Sequence, residues 1–256
     1  MMEATCLFSG SRGNCYYVNF DGTEVLIDAG KSARALDTEL EKIGTSKKNI
    51  SAIFITHTHT DHISALSVLT KGCDAKIYCT RESADALIDK SISVEKICVI
   101  NTSTTYKVGN IHIRCFKTSH DCVGSVGFRF DTENGESLAL ATDLGTLTSD
   151  VFAYLYGAKT IILEANHDID MLMRGPYPQA LKKRILGREG HLSNDSCVGA
   201  VRMLAKAGTE RFLLAHLSEE NNDRKIVFDC VRDALMGYNC TFDIAKQDEA
   251  VMICKK

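Results

Sequence analysis

The chain has 256 residues, 45% of them hydrophobic and 25% charged, with a formal net charge of -3. That length suffices for one substantial core, and the mild acidity argues against a protein that coats nucleic acid through overall positive charge. Pro176 and Pro178 are the only prolines, and no linker-like or low-complexity tract interrupts the chain, so residues 1–256 read as one domain.

Short β-branched runs alternate with helix-like stretches. ATCLFS and CYYVNF flank the turn-like GSRGN, and EVLIDAG follows Asp21-Gly22, a hairpin signal. A helix is predicted over 33–43, with Leu36, Leu40 and Ile43 on one face. SAIFIT reads as a buried strand and ISALSVLT as a helix. Strand AKIYCT, helix 83–89 and strand KICVI come next. TTYKV and IHIRCFK pair across Gly109-Asn110, and SVGFRFD pairs with ESLALATD across TENG. The remainder predicts helix 148–155, strand TIILEA, helices around 178–187 and 194–206, strand RFLLAH, helix 223–236 and strand CTFDIA. This count points to an α/β fold of two sheets with helices on their outer faces, an αββα sandwich.

The start, MMEATCLFSGSRGN, shows no basic-then-apolar leader pattern, and no apolar run approaches the roughly 20 residues of a membrane span. The eleven cysteines are odd in number and scattered, without a CxxC pair. They read as free, mostly buried thiols in a reducing cytoplasm. No membrane association and no obligate protein partner is legible.

FITHTHTDHI places three of the eight histidines beside an aspartate, where an apolar strand opens into a loop. Strand ends are where α/β sheets hold their ligands. Alternation along an extended segment sends His57, His59 and Asp61 to one side, and the turn into the next helix can swing His62 across. A hydrophilic loop is the plain alternative. Imidazole and carboxylate donors at this density suit a metal site. His120 follows IRCFKTS, Asp143 follows SLALAT and His216 follows RFLLA, so three more donors end apolar strands.

This ordered set, HxHxDH followed by a strand-end His, Asp and His, resembles the metallo-β-lactamase superfamily across nearly the whole chain. FSGSRGNCYYV, LIDAG, LEANHD, RGPYPQALKKRILGREGHLSND and AHLSEENN further resemble the YycJ/WalJ group of small bacterial nucleases. The resemblance implies the αββα sandwich. It also implies two divalent ions, Zn or Mn with Fe a third option, and a nucleic-acid substrate, DNA ahead of RNA. One ion would be held by His57, His59 and His120, and the other by Asp61, His62 and His216, with Asp143 bridging. Asp61 then counts among the catalytic groups as well as the ligands. Two such ions about 3.5–4 Å apart activate a water and stabilise charge on entering and leaving oxygens. That chemistry also serves esters, thioesters and lactones, so a small acyl substrate is the competing reading.

GHLSN, residues 190–194, separates these readings. His, Ser and Asn at a helix start offer donors to a phosphate. The stretch is similar to the phosphate-contacting loop of related tRNA-processing nucleases, which implies His191 as general acid and Glu164 as its carboxylate partner. Ser193 and Asn194 become phosphate contacts. Lys182, Lys183 and Arg184, with Arg174 and Arg188 nearby, form a basic run without an acid that can follow a nucleic-acid backbone; a solvated helix face is the alternative. SGSRGN reads as a tight turn or a set of donors near the site. Asp168 reads as a helix cap, and Cys122 as a bystander to His120.

Overall fold

The computed structural model describes residues 2–254. Among these residues, fourteen strands form two seven-stranded sheets. The first contains β1 (Met2–Phe8), β2 (Cys15–Phe20), β3 (Thr23–Ile27), β4 (Ile50–Phe54), β5 (Lys76–Cys79), β6 (Ile97–Val99) and the late strand β14 (Val251–Cys254), in the order β14-β1-β2-β3-β4-β5-β6. The second contains β7 (Tyr106–Val108), β8 (Ile111–Lys117), β9 (Val126–Thr132), β10 (Ser137–Ala141), β11 (Thr160–Glu164), β12 (Arg211–Ala215) and β13 (Thr241–Ile244), in the order β13-β12-β11-β10-β9-β8-β7.

Both sheets are mixed. In the first, β14 to β3 pair antiparallel and β3 to β6 parallel. In the second, β7 to β10 pair antiparallel and β10 to β13 parallel. Consecutive strands supply the antiparallel pairs except β14–β1, which joins the two ends of the chain, while helical crossovers are needed for the parallel ones.

Period-2 alternation sorts each strand's apolar residues between two faces. Val25, Ile27, Ala52 and Phe54 join Ile111, Ile113, Phe128 and Phe130 in the core between the sheets. Phe54 meets Phe130 edge-on at 5.2 Å and Phe128 at 5.5 Å, so aromatic contacts cross that gap. Leu26, Ile53 and Ile77 point the other way, onto α1 (Ala33–Lys42), α3 (Leu66–Leu69) and α4 (Arg81–Asp89). Leu140 and Ile162 face inward, while Ala139, Ile161 and Leu163 meet α5 (Ser149–Leu155), α8 (Asn194–Lys206) and α9 (Arg224–Leu235). Three apolar layers between four structural layers make the expected αββα sandwich. All eleven cysteines are free, and no helix of the described residues is long and apolar enough to cross a membrane.

Two local expectations change. The helix read in ISALSVLT is broken into α2 (Thr60–Ile63) and α3. An unbroken helix needs the Ala65 N–H to reach the Asp61 carbonyl. Here the Asp61 carbonyl accepts from Asn14 N–H at 2.8 Å, and Ala65 N–H donates to the Ala29 carbonyl at 2.8 Å. Two foreign loops thus take the helix's own bond. The second change is α6 (Ile169–Arg174), a helix that lacked a periodic signal; Asp168 caps it, accepting from Met171 N–H at 2.8 Å. The remaining helix, α7, spans Gln179–Ile185.

Candidate metal centre

The donors singled out from sequence converge at one edge of the sandwich. His57 to His62 lie just past β4, His120 past β8, Asp143 past β10 and His216 past β12. His57 Nε2 lies 3.0 Å from His59 Nδ1, which lies 3.3 Å from His120 Nε2. Asp61, His62 and His216 form a second group, and Asp143 joins His57 and His62 in a third. His62 Nε2 is 3.4 Å from both Asp61 Oδ2 and Asp143 Oδ2. Asp143 Oδ2 and His216 Nε2 are buried without a hydrogen-bond partner. Orphaned buried donors of this kind are costly unless something absent from the polypeptide completes them. The residues present fit divalent metal.

Asp143 and His216 share a backbone oddity with Asp28, since their φ values are 55°, 56° and 60°. Left-handed backbone costs a non-glycine residue about 1–3 kcal/mol and clusters at functional sites. Each of the three lies just beyond a strand end, where the turn aims its side chain across the edge.

Asp28 is the residue sequence reading missed. Its buried carboxylate accepts from Thr56 N–H at 2.9 Å and Thr56 Oγ1–H at 2.8 Å, and lies 2.7 Å from His62 Nδ1. That bond leaves His62 Nε2 for the site. Glu164 does the same on the other side. Its Oε1 lies 2.7 Å from His216 Nδ1 and 2.8 Å from His191 Nδ1, and its Oε2 accepts from Leu144 and Leu192 N–H groups. The expected His191–Glu164 pair is present, and the same carboxylate also orients His216. Glu164 groups with Asp143, His191 and His216 as a possible ligand set. With its oxygens already engaged by four donors, it orients rings instead.

SGSRGN is more than a turn. Ser9 Oγ accepts from His216 N–H at 2.8 Å, and Asn14 Nδ2 lies 3.2 Å from Asp61 Oδ2. Gly30 passes so close that a Cβ would sit 1.5 Å from the Asp61 carbonyl oxygen. LIDAG needs glycine there to lie against the metal loop.

Charge is divided unevenly. Burial holds His57 well below the ordinary histidine range and also lowers His120. Burial works against charge on His216 too, but Asp143, Asp61 and Glu164 outweigh it and raise its pKa to about 10. For His191, burial is outweighed by Glu164, so its pKa lies above the usual value. Glu164 itself is drawn down to about 2: burial opposes its charge, and His191 and His216 more than compensate.

Three expected phosphate contacts are engaged elsewhere. Lys182 is buried, and its ammonium donates to the Met173 and Gly175 carbonyls at 2.7 Å each. Ser193 caps α8 by accepting from Ser196 N–H. Asn194 is buried in a reciprocal amide pair with Asn222, at 2.8 and 2.9 Å. Lys183 and Arg188 are exposed; Arg184 is exposed as well, but its Nε donates to Asp121 Oδ2 at 2.5 Å. Cys122 contacts Thr58 Oγ1 at 3.8 Å and joins none of the ligand groups.

A family model described as the beta-lactamase superfamily domain matches residues 23–217, which carry all seven expected ligands. The chain belongs to the metallo-β-lactamase superfamily. Within it, the chain is 32% identical to exodeoxyribonuclease YycJ of Bacillus anthracis over 253 residues, covering 96% of each chain. It is 34% identical to exodeoxyribonuclease WalJ of Streptococcus pneumoniae over 227 residues, 86% of this chain and 83% of that one. The crystal structure of the metallo-β-lactamase fold protein YhfI from Bacillus subtilis superposes with a TM-score of 0.73 at 18% identity, covering 98% of this chain and 99% of that chain. This superfamily member therefore has its donors at the strand-edge position, with metal-binding groups at the centre of the site.

Proposed function

We propose that the protein is a metal-dependent phosphodiesterase that degrades nucleic acid, as an exonuclease on DNA. The observation that carries this reading is the His191–Glu164 pair, 2.8 Å apart, beside the ligand cluster and at the start of α8. A thioester hydrolase gains little from an imidazolium there, because a thiolate leaves without a proton, whereas an alkoxide leaving a phosphodiester needs one. The likeness to proteins named exodeoxyribonucleases, over 96% and 86% of this chain, supports the same substrate.

In this reading His57, His59 and His120 would hold one ion, Asp61, His62 and His216 a second, and Asp143 both. Such ions, Zn or Mn on this donor set, supply Lewis-acid activation of water and neutralise phosphate charge. The chain does the rest. Asp28 and Glu164 fix the tautomers and directions of His62 and His216. Glu164 holds His191 through Nδ1, so Nε2 carries the proton given to the leaving oxygen. Lys183 and Arg188 offer exposed charges to neighbouring phosphates.

The test uses protein of known metal content and end-labelled DNA and RNA, single- and double-stranded, with Mn or Zn. Wild type, His59→Ala and Asp143→Ala are run together to exclude a contaminating nuclease. Metal-dependent cleavage lost in both variants supports the reading, and the label pattern gives the polarity. Full metal occupancy without cleavage of any nucleic acid would sink it, and thioesters and lactones would be assayed next.

A further inference from the structure

His191 and His216 line a pocket of about 190 Å³ together with Tyr177, Leu181 and Ile185. Leu181 and Ile185 are four apart on α7 and so share a face. Tyr177 stands just before them, ahead of Pro178, the residue that caps α7. Its ring is half-buried, and among the described residues it has neither a stacking partner nor a hydrogen bond. An aromatic ring lining a catalytic pocket with nothing stacked on it is a vacant π-face.

The ring is also held in advance. Pro178 restricts Tyr177 to extended backbone. The buried Lys182 ammonium ties the Met173 and Gly175 carbonyls to α7, and Gly175 N–H donates to the Met171 carbonyl at 2.7 Å. Lys182, expected to meet phosphate, instead fastens the segment that presents Tyr177. A ring fixed beforehand loses little freedom when a ligand stacks on it.

We propose that this pocket takes one nucleobase, stacked on Tyr177 and packed against Leu181 and Ile185, from the nucleotide that carries the leaving oxygen. That side follows from His191, which lines the pocket and, in the proposed function, gives its proton to that oxygen. Every base offers a π-face, so the pocket grips nucleotides without reading sequence. Ser11, Ser218 and the Arg184–Asp121 ion pair line the rest of the pocket and offer polar groups to the base edge. The proposal rests on the nuclease reading, and it makes Tyr177 the residue that grips the nucleotide on the leaving-oxygen side.

The test is a cycle on metal-loaded enzyme: wild type, Tyr177→Ala and Tyr177→Phe, each with an oligodeoxynucleotide that is intact or carries an abasic residue on one side or the other of the scissile phosphate. Tyr177→Ala should raise KM roughly 5- to 100-fold with a smaller change in kcat, and Tyr177→Phe should rescue most of that loss. An abasic residue on the leaving-oxygen side should cost wild type a similar factor and cost Tyr177→Ala nothing further. Additive losses, or an abasic effect confined to the other side, would overturn the pocket. If melting shows Tyr177→Ala unfolded, Tyr177→Leu, which keeps bulk without the π-face, takes its place in the cycle. No cleavage by wild type would fail the nuclease reading itself; cleavage indifferent to Tyr177 would fail this inference alone.

Discussion

Asp28 Oδ2 and His62 Nδ1 lie 2.7 Å apart, both fully buried, at the base of the metal centre. Removing the carboxylate frees the imidazole to rotate and leaves Thr56 without its acceptor. Asp28→Ala should therefore lower affinity for one of the bound ions by roughly 10- to 100-fold, the range for lost support of a metal-ligating histidine. Titration with a competing chelator measures it; an unchanged affinity would show that His62 is held by its other neighbours.

His191 has to be protonated to act as an acid, and Glu164 raises its pKa above the ordinary value. The rate should fall on the alkaline side as pH rises through that pKa. Glu164→Gln removes the charge that raises it, so the alkaline limb should move to lower pH. His191→Ala should slow cleavage by roughly 10²- to 10⁴-fold and flatten that limb while metal content stays constant. Rate profiles of the three proteins decide the matter, and an alkaline limb that survives in His191→Ala would belong to another group.

Metal uptake should divide by pH. His57 and His120 are kept neutral, ready to bind without losing a proton, whereas His216, with a pKa of about 10, holds one that metal must displace. His62 is likewise drawn well above the ordinary histidine range, burial being outweighed by Asp28 and Asp143. Below pH 10, an ion at Asp61, His62 and His216 should therefore weaken by more than about tenfold for each unit of acidification, and an ion at His57, His59 and His120 less steeply. Calorimetry in buffers of different ionisation enthalpy counts the protons released. Equal release for both ions would contradict the division.

Lysines 182 and 183 are adjacent and should behave differently. Lys183→Ala or Arg188→Ala should weaken nucleic-acid binding at low salt and reduce the log–log salt slope by about 1 each, leaving melting unchanged. Lys182→Met should instead destabilise by about 1–3 kcal/mol, because two carbonyls lose a charged donor in a buried position. Binding titrations and thermal melts together distinguish the two; a salt-slope change in Lys182→Met with unaltered melting would return that residue to the substrate surface.

The strands, and the donors at their ends, were legible in the sequence because both are local properties. Alternation of apolar residues marks a strand within a few positions. A histidine or aspartate just beyond such a run, as at His120, Asp143 and His216, lies on the sheet edge whatever the neighbouring strand is. Which partner each polar group meets was decided by tertiary structure. Asp28 is a short step past its strand like the rest, but becomes a support for His62 only because β3 lies beside β4. Lys182 differs from Lys183 only in facing the α6 turn, of which the sequence showed the cap, Asp168, but no apolar period. Ser193 and Asn194 sit at a helix start that suits phosphate equally well, yet Asn222, from a distant loop, takes the amide. The break between α2 and α3 has the same origin, since Asn14 and Ala29 come from other strands' loops. Local pattern determines where a side chain can point; hydrogen-bond partners distant in sequence determine what it is free to do.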